Sequence, residues 1–198
     1  MKYLTIITNF GDNEVFSRTT ISGLDRLKDA IKFEGADCIR LADSGDPFYD
    51  YENHQKYFYR LLRVCREMNI PLEIHTRHPE VDFPFKKCLR VVYKLRNLES
   101  LQQVTRRGAH IVEVEFTIDR SCTLDLIDKV YDICTASPDI DKLSFRSNTE
   151  PWGEIGKCCR DYLREGAGTK WGHIERFEEK PPYFVNGTIY YHHSDIFD

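Results

Sequence analysis

Hydrophobic and polar residues alternate along several short stretches of this chain, and between those stretches apolar residues recur at helical spacing. The alternation and the apolar runs predict strands at Tyr3–Thr8, Cys38–Ala42, Leu72–Arg77, Leu89–Leu95, His110–Asp119 and Leu143–Ser147. Helical periodicity predicts helices from Leu24 to Gly35, Asn53 to Met68, Leu98 to Arg107 and Glu154 to Arg164, and one with Leu124, Ile127, Val130 and Tyr131 on one face. Six βα units, with a loop at His78–Lys87 in the third, indicate a parallel sheet with right-handed crossovers.

The alternation also predicts that the two faces of this sheet differ. In the fifth strand Val112, Val114 and Phe116 interleave with Glu113 and Glu115. Parallel strands covered on both faces are almost continuously hydrophobic, so helices should cover the apolar face and leave a polar one. We therefore expect an α/β fold, a partial (β/α)6 TIM-like barrel with a polar lumen. Because unpaired buried charge is costly, that lumen is either a ligand pocket or a self-paired ion network.

The last part of the chain has a different pattern. Asn186-Gly187 stands between Tyr183–Val185 and Thr188–Tyr190, which predicts a type I′ turn and a C-terminal β-hairpin. The length of 198 residues fits one domain, with βα repeats over 1–165 and an extension carrying the hairpin over 166–198. Near the start of the first helix, Ser22 and Asp25 have the spacing of a capping box.

Composition narrows the classes of partner. The net charge of −4 gives no general reason to bind nucleic acid, and no apolar stretch has the length of a membrane helix. The seven cysteines form no CxxC, and the first residues lack a signal-peptide pattern. A soluble, cytoplasmic protein is the simplest expectation, with a small-molecule ligand or a protein as its partner.

Four residues of the predicted polar face are candidates for catalysis: His75, Glu113, Glu115 and Arg146. An inward histidine is suited to general-base chemistry, and two carboxylates two residues apart on a strand point to the same side. The structural alternative is a hydrogen-bonded histidine, with the glutamates balancing the neighbouring cations Arg90, Lys94 and Arg146. His75 and His78 lack the companions of a metal site, so no metal is predicted.

Ligands of such folds bind at the carboxyl ends of the strands. Residues expected to converge there are Asn9, Asp43, Asp46, Arg77, Asp119 and Asn148. Asp43 and Asp46 could grip an amine, or they could form the turn and cap the following helix.

The turn Ser44-Gly45-Asp46-Pro47 after strand two, together with six βα units, resembles the radical S-adenosylmethionine superfamily. In that family the second strand ends in a Gly-Gly-Glu-Pro-like motif that holds the amino group of the methionine moiety. The resemblance implies cofactor-binding roles for Asp43, Ser44, Gly45, Asp46 and Pro47. It also implies S-adenosylmethionine, or a related nucleoside, as the ligand.

One defining motif of that family is missing. Its CxxxCxxC should follow strand one, but the stretch from Thr8 to Ser17 contains no cysteine. Because thiolates ligate such a cluster, we expect no iron–sulfur cluster and no radical chemistry. The chain is then a degenerate member, a non-radical binding or interaction protein with a retained nucleoside or amino-acid-like ligand. The alternative is an enzyme doing polar acid/base chemistry in the same lumen, so whether it is an enzyme or a pseudoenzyme stays open.

Overall fold

A computed structural model describes residues 1–8, 10, 19–42, 46–147, 155–174 and 182–196. The strands are β1 (Tyr3–Ile6), β2 (Cys38–Leu41), β3 (Leu72–Thr76), β4 (Cys88–Leu95), β5 (Ile111–Ile118), β6 (Lys142–Ser147), β7 (Gly172–Ile174), β8 (Tyr183–Val185) and β9 (Thr188–Tyr190). The helices are α1 (Leu27–Glu34), α2 (Tyr51–Met68), α3 (Leu98–Gln102), α4 (Leu124–Ala136) and α5 (Lys157–Gly166). In these described ranges no helix is both long and apolar enough to cross a membrane.

The strands form one sheet in the order β7-β6-β5-β4-β3-β2-β1-β8-β9, and every neighbouring pair is parallel except β8 and β9. The predicted α/β class and the parallel order of the six predicted strands are confirmed. The sheet is not closed, and a TIM-like barrel is not confirmed. Strand β8 pairs with the side of β1 that β2 leaves free, so that side of β1 cannot join the far edge at β7.

The apolar face of the sheet packs against the helices. Its strand residues are fully buried, as for Ile74, Val91, Val112 and Phe145. They belong to one continuous core cluster that also contains Leu27 of α1 and the buried residues of the other helices. The alternation predicted for strands three, five and six is therefore observed, with the apolar members facing this core. In β4 it holds for Val91 and Tyr93, but Leu89 is only half-buried, because the register with β3 shifts there and Cys88 takes the buried position.

The hairpin is confirmed at the predicted residues. Asn186 and Gly187 have positive φ angles of 49° and 97°, as a type I′ turn requires, and Tyr183 pairs antiparallel with Tyr190. The Asn186 side chain accepts hydrogen bonds from the backbone N–H and the hydroxyl of Thr20, at 2.7 and 2.9 Å. The hairpin is thus joined to the segment before α1.

Two of the helix ends that differ from the sequence prediction are the start of α1 and the end of α3. Ser22 makes no side-chain cap because its backbone is already helical and a 3₁₀ turn, Gly23–Arg26, precedes α1. The hydroxyl of Thr20 instead accepts a hydrogen bond from the Gly23 N–H at 3.1 Å. Helix α3 ends at Gln102, well before the predicted Arg107. Gly35 ends α1 in the left-handed conformation, as predicted.

Candidate functional site

Charged side chains from five neighbouring strands share the sheet face opposite the helices, and we call this surface the polar face. Its charged and polar members are Arg40 on β2, Glu73 and His75 on β3, Arg90 and Lys94 on β4, Glu113 and Glu115 on β5, and Lys142, Ser144 and Arg146 on β6. Each strand alternates its side chains between the two faces, so burying the apolar set against the helices places the polar set here. The four predicted catalytic residues therefore lie on one surface.

Glu73 is the centre of the first group on the polar face. It is fully buried, and its neighbours across the sheet are Arg40 and Arg90. Arg40 Nε donates to Glu73 Oε1 at 2.8 Å, and Arg90 Nε donates to Oε2 at 2.9 Å. Burial alone would raise the pKa of Glu73, but its hydrogen bond to His75 and the two guanidinium charges lower it. Glu73 is therefore an ionised carboxylate that neutralises two cations.

The same group continues to β5 and β6. Arg90 also donates to Glu113 Oε2 at 3.1 Å, and the hydroxyl of Ser144 donates to Glu113 Oε1 at 3.1 Å. The Arg40 guanidinium lies 3.7 Å from the centre of the Tyr3 ring. We call Arg40, Glu73, His75, Arg90 and Glu113 the Glu73 network. Each charge in it is met by at least one opposite charge, so this half of the polar face is self-paired.

His75 is neutral in this network. Its pKa is lowered to about 4, first by burial and then by the charge of Lys94, against the opposite effect of the Glu73 hydrogen bond. A neutral ring must carry its proton on Nε2 to donate to Glu73 Oε1, which lies 2.7 Å away. A pKa near 4 makes the free nitrogen a weak base at neutral pH, which is poorly matched to general-base catalysis.

The lowered pKa of His75 predicts a pH dependence of stability. An unfolded histidine binds a proton below about pH 6.5, but the folded protein does not bind one at His75 until about pH 4. The unfolded state thus holds more protons in that window, so stability falls as pH decreases from 6.5 to 4, by up to roughly 3 kcal/mol. Urea unfolding at pH 7 and pH 4.5 should show a smaller loss in His75→Gln than in the wild type. Equal losses in both proteins would contradict the burial of a neutral ring.

Glu115 and Arg146 form a second, separate pair on the polar face. Arg146 Nε lies 2.9 Å from Glu115 Oε1 but is not aligned for a hydrogen bond. Within the described residues neither side chain has another polar contact. The Glu115 side chain is 5% exposed and that of Arg146 is 25% exposed. The guanidinium group of Arg146 therefore keeps donors that no described group accepts.

Asp46, predicted to bind a cofactor, has both carboxylate oxygens engaged. Oδ1 accepts hydrogen bonds from the Phe48 N–H at 2.9 Å and from the Thr76 hydroxyl at 2.7 Å, and Oδ2 accepts from the Arg77 N–H. Asp46 and the buried Pro47 thus tie the turn after β2 to the end of β3. Asp43, Ser44 and Gly45 lie outside the described residues, and the cofactor-binding role of this turn stays a prediction.

Of the six residues expected to converge at the strand ends, the structure brings two together, Asp46 and Arg77. Asp119 instead accepts hydrogen bonds from the backbone and hydroxyl of Ser121, at 2.8 and 2.6 Å, and so closes its own turn. Asn9, Asp43 and Asn148 lie outside the described residues. Among those that are described, no group of His, Cys, Asp and Glu side chains could hold a metal ion, and the seven cysteines are free thiols.

Arg40 is the residue of this site that sequence reasoning missed. It lies in an apolar run and was assigned only to a buried strand, yet it is 4% exposed and bonded to Glu73. The signal was present: an arginine inside a short buried strand needs an anionic partner, and Glu73 occupies the neighbouring strand.

Comparison with known proteins gives no family assignment. No protein-family model matches the chain, and a search of curated proteins finds no match. Among solved structures, SuiB from Streptococcus suis bound to S-adenosylmethionine matches with a TM-score of 0.48 and 14% identity. The match covers 87% of this chain and 46% of SuiB, so the chain spans about half the length of that protein.

Thiamine phosphate pyrophosphorylase from Pyrococcus furiosus also matches, with a TM-score of 0.32 and 14% identity over 87% of this chain and 84% of that chain. The similarity in both cases is a loose one of chain layout. Neither likeness identifies an activity for this chain.

Proposed function

We propose that this chain binds a small amino-acid-like ligand on its polar face, at Glu115 and Arg146. The observation that carries the proposal is the difference between the arginines of this face. Arg40 is held by Glu73 and the Tyr3 ring, and Arg90 is held by Glu73 and Glu113. Among the described residues Arg146 is approached only by the misaligned Glu115, and it is one-quarter exposed.

The chemistry of an amino acid matches this pair. A carboxylate can accept two parallel hydrogen bonds from a guanidinium group, which is the geometry that arginine favours. The ligand ammonium would face Glu115, so both protein charges remain compensated when the ligand is bound. The apolar strands beneath the pair exclude water on one side, which strengthens these contacts relative to those on an open surface.

S-adenosylmethionine is the first ligand to test, because it joins an amino acid to a nucleoside. The Ser44-Gly45-Asp46-Pro47 turn resembles the motif that holds the amino group of the methionine moiety in the radical S-adenosylmethionine superfamily. The Asp46 carboxylate is already hydrogen-bonded to Phe48, Thr76 and Arg77. We therefore assign recognition of the amino-acid part of the ligand to Glu115 and Arg146. We also propose that the sheet curves into a partial barrel, with the polar face on its concave side.

Isothermal titration calorimetry with S-adenosylmethionine, L-methionine and adenosine tests the proposal. Arg146→Met should weaken S-adenosylmethionine and L-methionine by roughly tenfold or more, because a charged hydrogen bond is lost. Adenosine lacks the carboxylate, so its affinity should not change. The matched control is Arg63→Met, which removes an exposed arginine of α2 paired with Glu67. Equal affinities in wild type and Arg146→Met, or no binding of any of the three ligands, would refute the proposal.

The acid/base enzyme that the sequence also allowed has less support. Glu113 is engaged by Arg90 and Ser144, and the pKa of His75 is lowered to about 4. A catalytic role for His75, Glu113, Glu115 and Arg146 stays a prediction. A reaction that follows the titration of His75 between pH 3 and 5 would favour it over binding alone.

A further inference from the structure

A cleft of about 630 Å³ opens beside the first residues of β6, and we call it the β6–β7 cleft. Helix α4, the start of β6 and the turn between α5 and β7 form its walls. The lining residues that matter here are Tyr131, Lys142, Lys170 and Trp171. Lys142 is four residues before Arg146 on the same strand, a distance of roughly 13 Å along β6. The cleft borders the polar face at Ser144, but neither Glu115 nor Arg146 lines it.

The aromatic wall of the cleft is held rigidly. Trp171 is buried, and its indole N–H donates to the Leu163 carbonyl at 2.9 Å. The rings of Tyr131 and Phe145 stand edge-on to it, with centroid distances of 5.4 and 5.3 Å. A Cβ atom at Gly166 would lie 2.2 Å from the indole, so only glycine permits this close packing. A wall already fixed in place loses little conformational entropy when a ligand binds.

Among the described residues, the charges at the cleft that have no partner of opposite charge are positive. Lys170 Nζ lies 5.6 Å from the centre of the Tyr131 ring and 5.7 Å from that of Trp171. Within the part of the chain that the structure describes, neither Lys142 nor Lys170 has an anionic partner. The lining carboxylate, Asp141, accepts hydrogen bonds from Arg106 and from the Val112 N–H, both at 2.7 Å. Asp141 is therefore engaged, and the two ammonium groups are left to attract an anion.

We infer that the β6–β7 cleft binds a small organic anion with a planar aromatic body. The ring of such a ligand would lie against the partly exposed ring of Tyr131, which the buried Trp171 supports from behind, and its anionic group would reach Lys142 and Lys170. The volume falls in the range of small-molecule sites, which combine apolar walls with a few polar groups. Charge and aromatic surface together select against both inorganic anions and neutral aromatic compounds.

Phenyl phosphate carries both features, and calorimetric titration of the full chain with it tests the inference. A dissociation constant of about 1 mM or tighter is expected for a ligand of this size. Inorganic phosphate and benzyl alcohol, which each carry one feature, should bind at least tenfold more weakly. Lys170→Met and Lys142→Met should each weaken phenyl phosphate about fivefold or more. Each variant keeps an apolar side chain of similar length, and both lysines are exposed, so the fold is retained.

Two control variants test whether phenyl phosphate binds at the β6–β7 cleft and not elsewhere on the protein. Lys129→Met removes an exposed lysine of α4 that pairs with Asp125, and it should leave phenyl phosphate binding unchanged. Arg146→Met should also leave it unchanged, which separates this cleft from the amino-acid site proposed above. No binding of phenyl phosphate by the wild type would overturn the inference. So would equal affinity in Lys170→Met, or inorganic phosphate binding as tightly as phenyl phosphate.

Discussion

Replacing Glu73 by glutamine should lower the free energy of unfolding at pH 7 by about 3–5 kcal/mol, the usual cost of breaking a buried ion pair from one side. Glutamine keeps the size of the side chain but removes the charge that Arg40 and Arg90 share. The Arg40 side chain is 4% exposed, so it cannot recover its hydration without disrupting the sheet. Urea denaturation of the purified variant measures the loss directly.

Glu67→Gln is the matched control for this prediction. Glu67 also has two cationic partners, Lys28 and Arg63, but they meet on the surface of α2. Exposed pairs of this kind contribute little, so its unfolding midpoint should stay close to that of the wild type. If both variants behave alike, the Glu73 network is solvated in solution and the polar face is more open than the structure shows.

Replacing Phe48 by alanine should cost about 3–5 kcal/mol, because it removes a buried aromatic ring and leaves a cavity. Phe48 is 2% exposed, and its ring lies 5.1 Å from that of Phe83 and 5.5 Å from those of Tyr51 and Phe58. Its backbone N–H also donates to Asp46, so the ring anchors the turn after β2. The thermal midpoint and the urea midpoint should both fall.

The control for the core is Phe33→Ala. Phe33 projects from α1 and is 77% exposed, so the same chemical change should alter stability by no more than about 0.5 kcal/mol. A loss at Phe48 as small as that at Phe33 would mean that the aromatic cluster does not pack in solution as described. It would also weaken the assignment of Asp46 to a structural contact.

The strands of this fold could be predicted because helices cover the sheet on one side. Val112, Val114 and Phe116 face the helices, whereas Glu113 and Glu115 face away from them. The alternation of apolar and charged residues along β5 therefore predicts which side of the strand is covered. The hairpin could be predicted because Asn186 and Gly187 adopt positive φ angles that few other residues tolerate.

Two strand positions were not predictable from local pattern. Strand β7, Gly172–Ile174, is three residues long and too short to alternate, and its pairing with β6 defines it. The placement of β8 beside β1 depends on contacts between the two ends of the chain, such as that of Thr5 with Tyr183. A pattern within ten or twenty residues contains no information about such a contact.

The residues of the polar face were predicted in part, with Arg40 missed, but their pairing was not predicted. Alternation places Glu73, His75 and Arg146 on one face, yet it does not say which cation each carboxylate meets. That choice follows partly from strand register, which sets Arg40 and Arg90 on either side of Glu73. Register places Thr117 beside Arg146, so Arg146 reaches Glu115 diagonally across the sheet. The division into a self-paired network and an incompletely bonded arginine is therefore visible only in three dimensions.

The position of β8 has a consequence for the order in which this protein folds. The Thr5 N–H donates to the Pro182 carbonyl, and the Ile7 N–H donates to that of Phe184. During synthesis β1 and β2 are made early enough to pair with each other, but the other edge of β1 has no partner until β8 has been made. An unpaired, apolar edge is a template for other chains. Closing it requires contact between opposite ends of the chain, which is slow. Nascent chains that stop short of Tyr183 should therefore self-associate and depend on chaperones, whereas a chain that includes β8 and β9 covers that edge with its own hairpin.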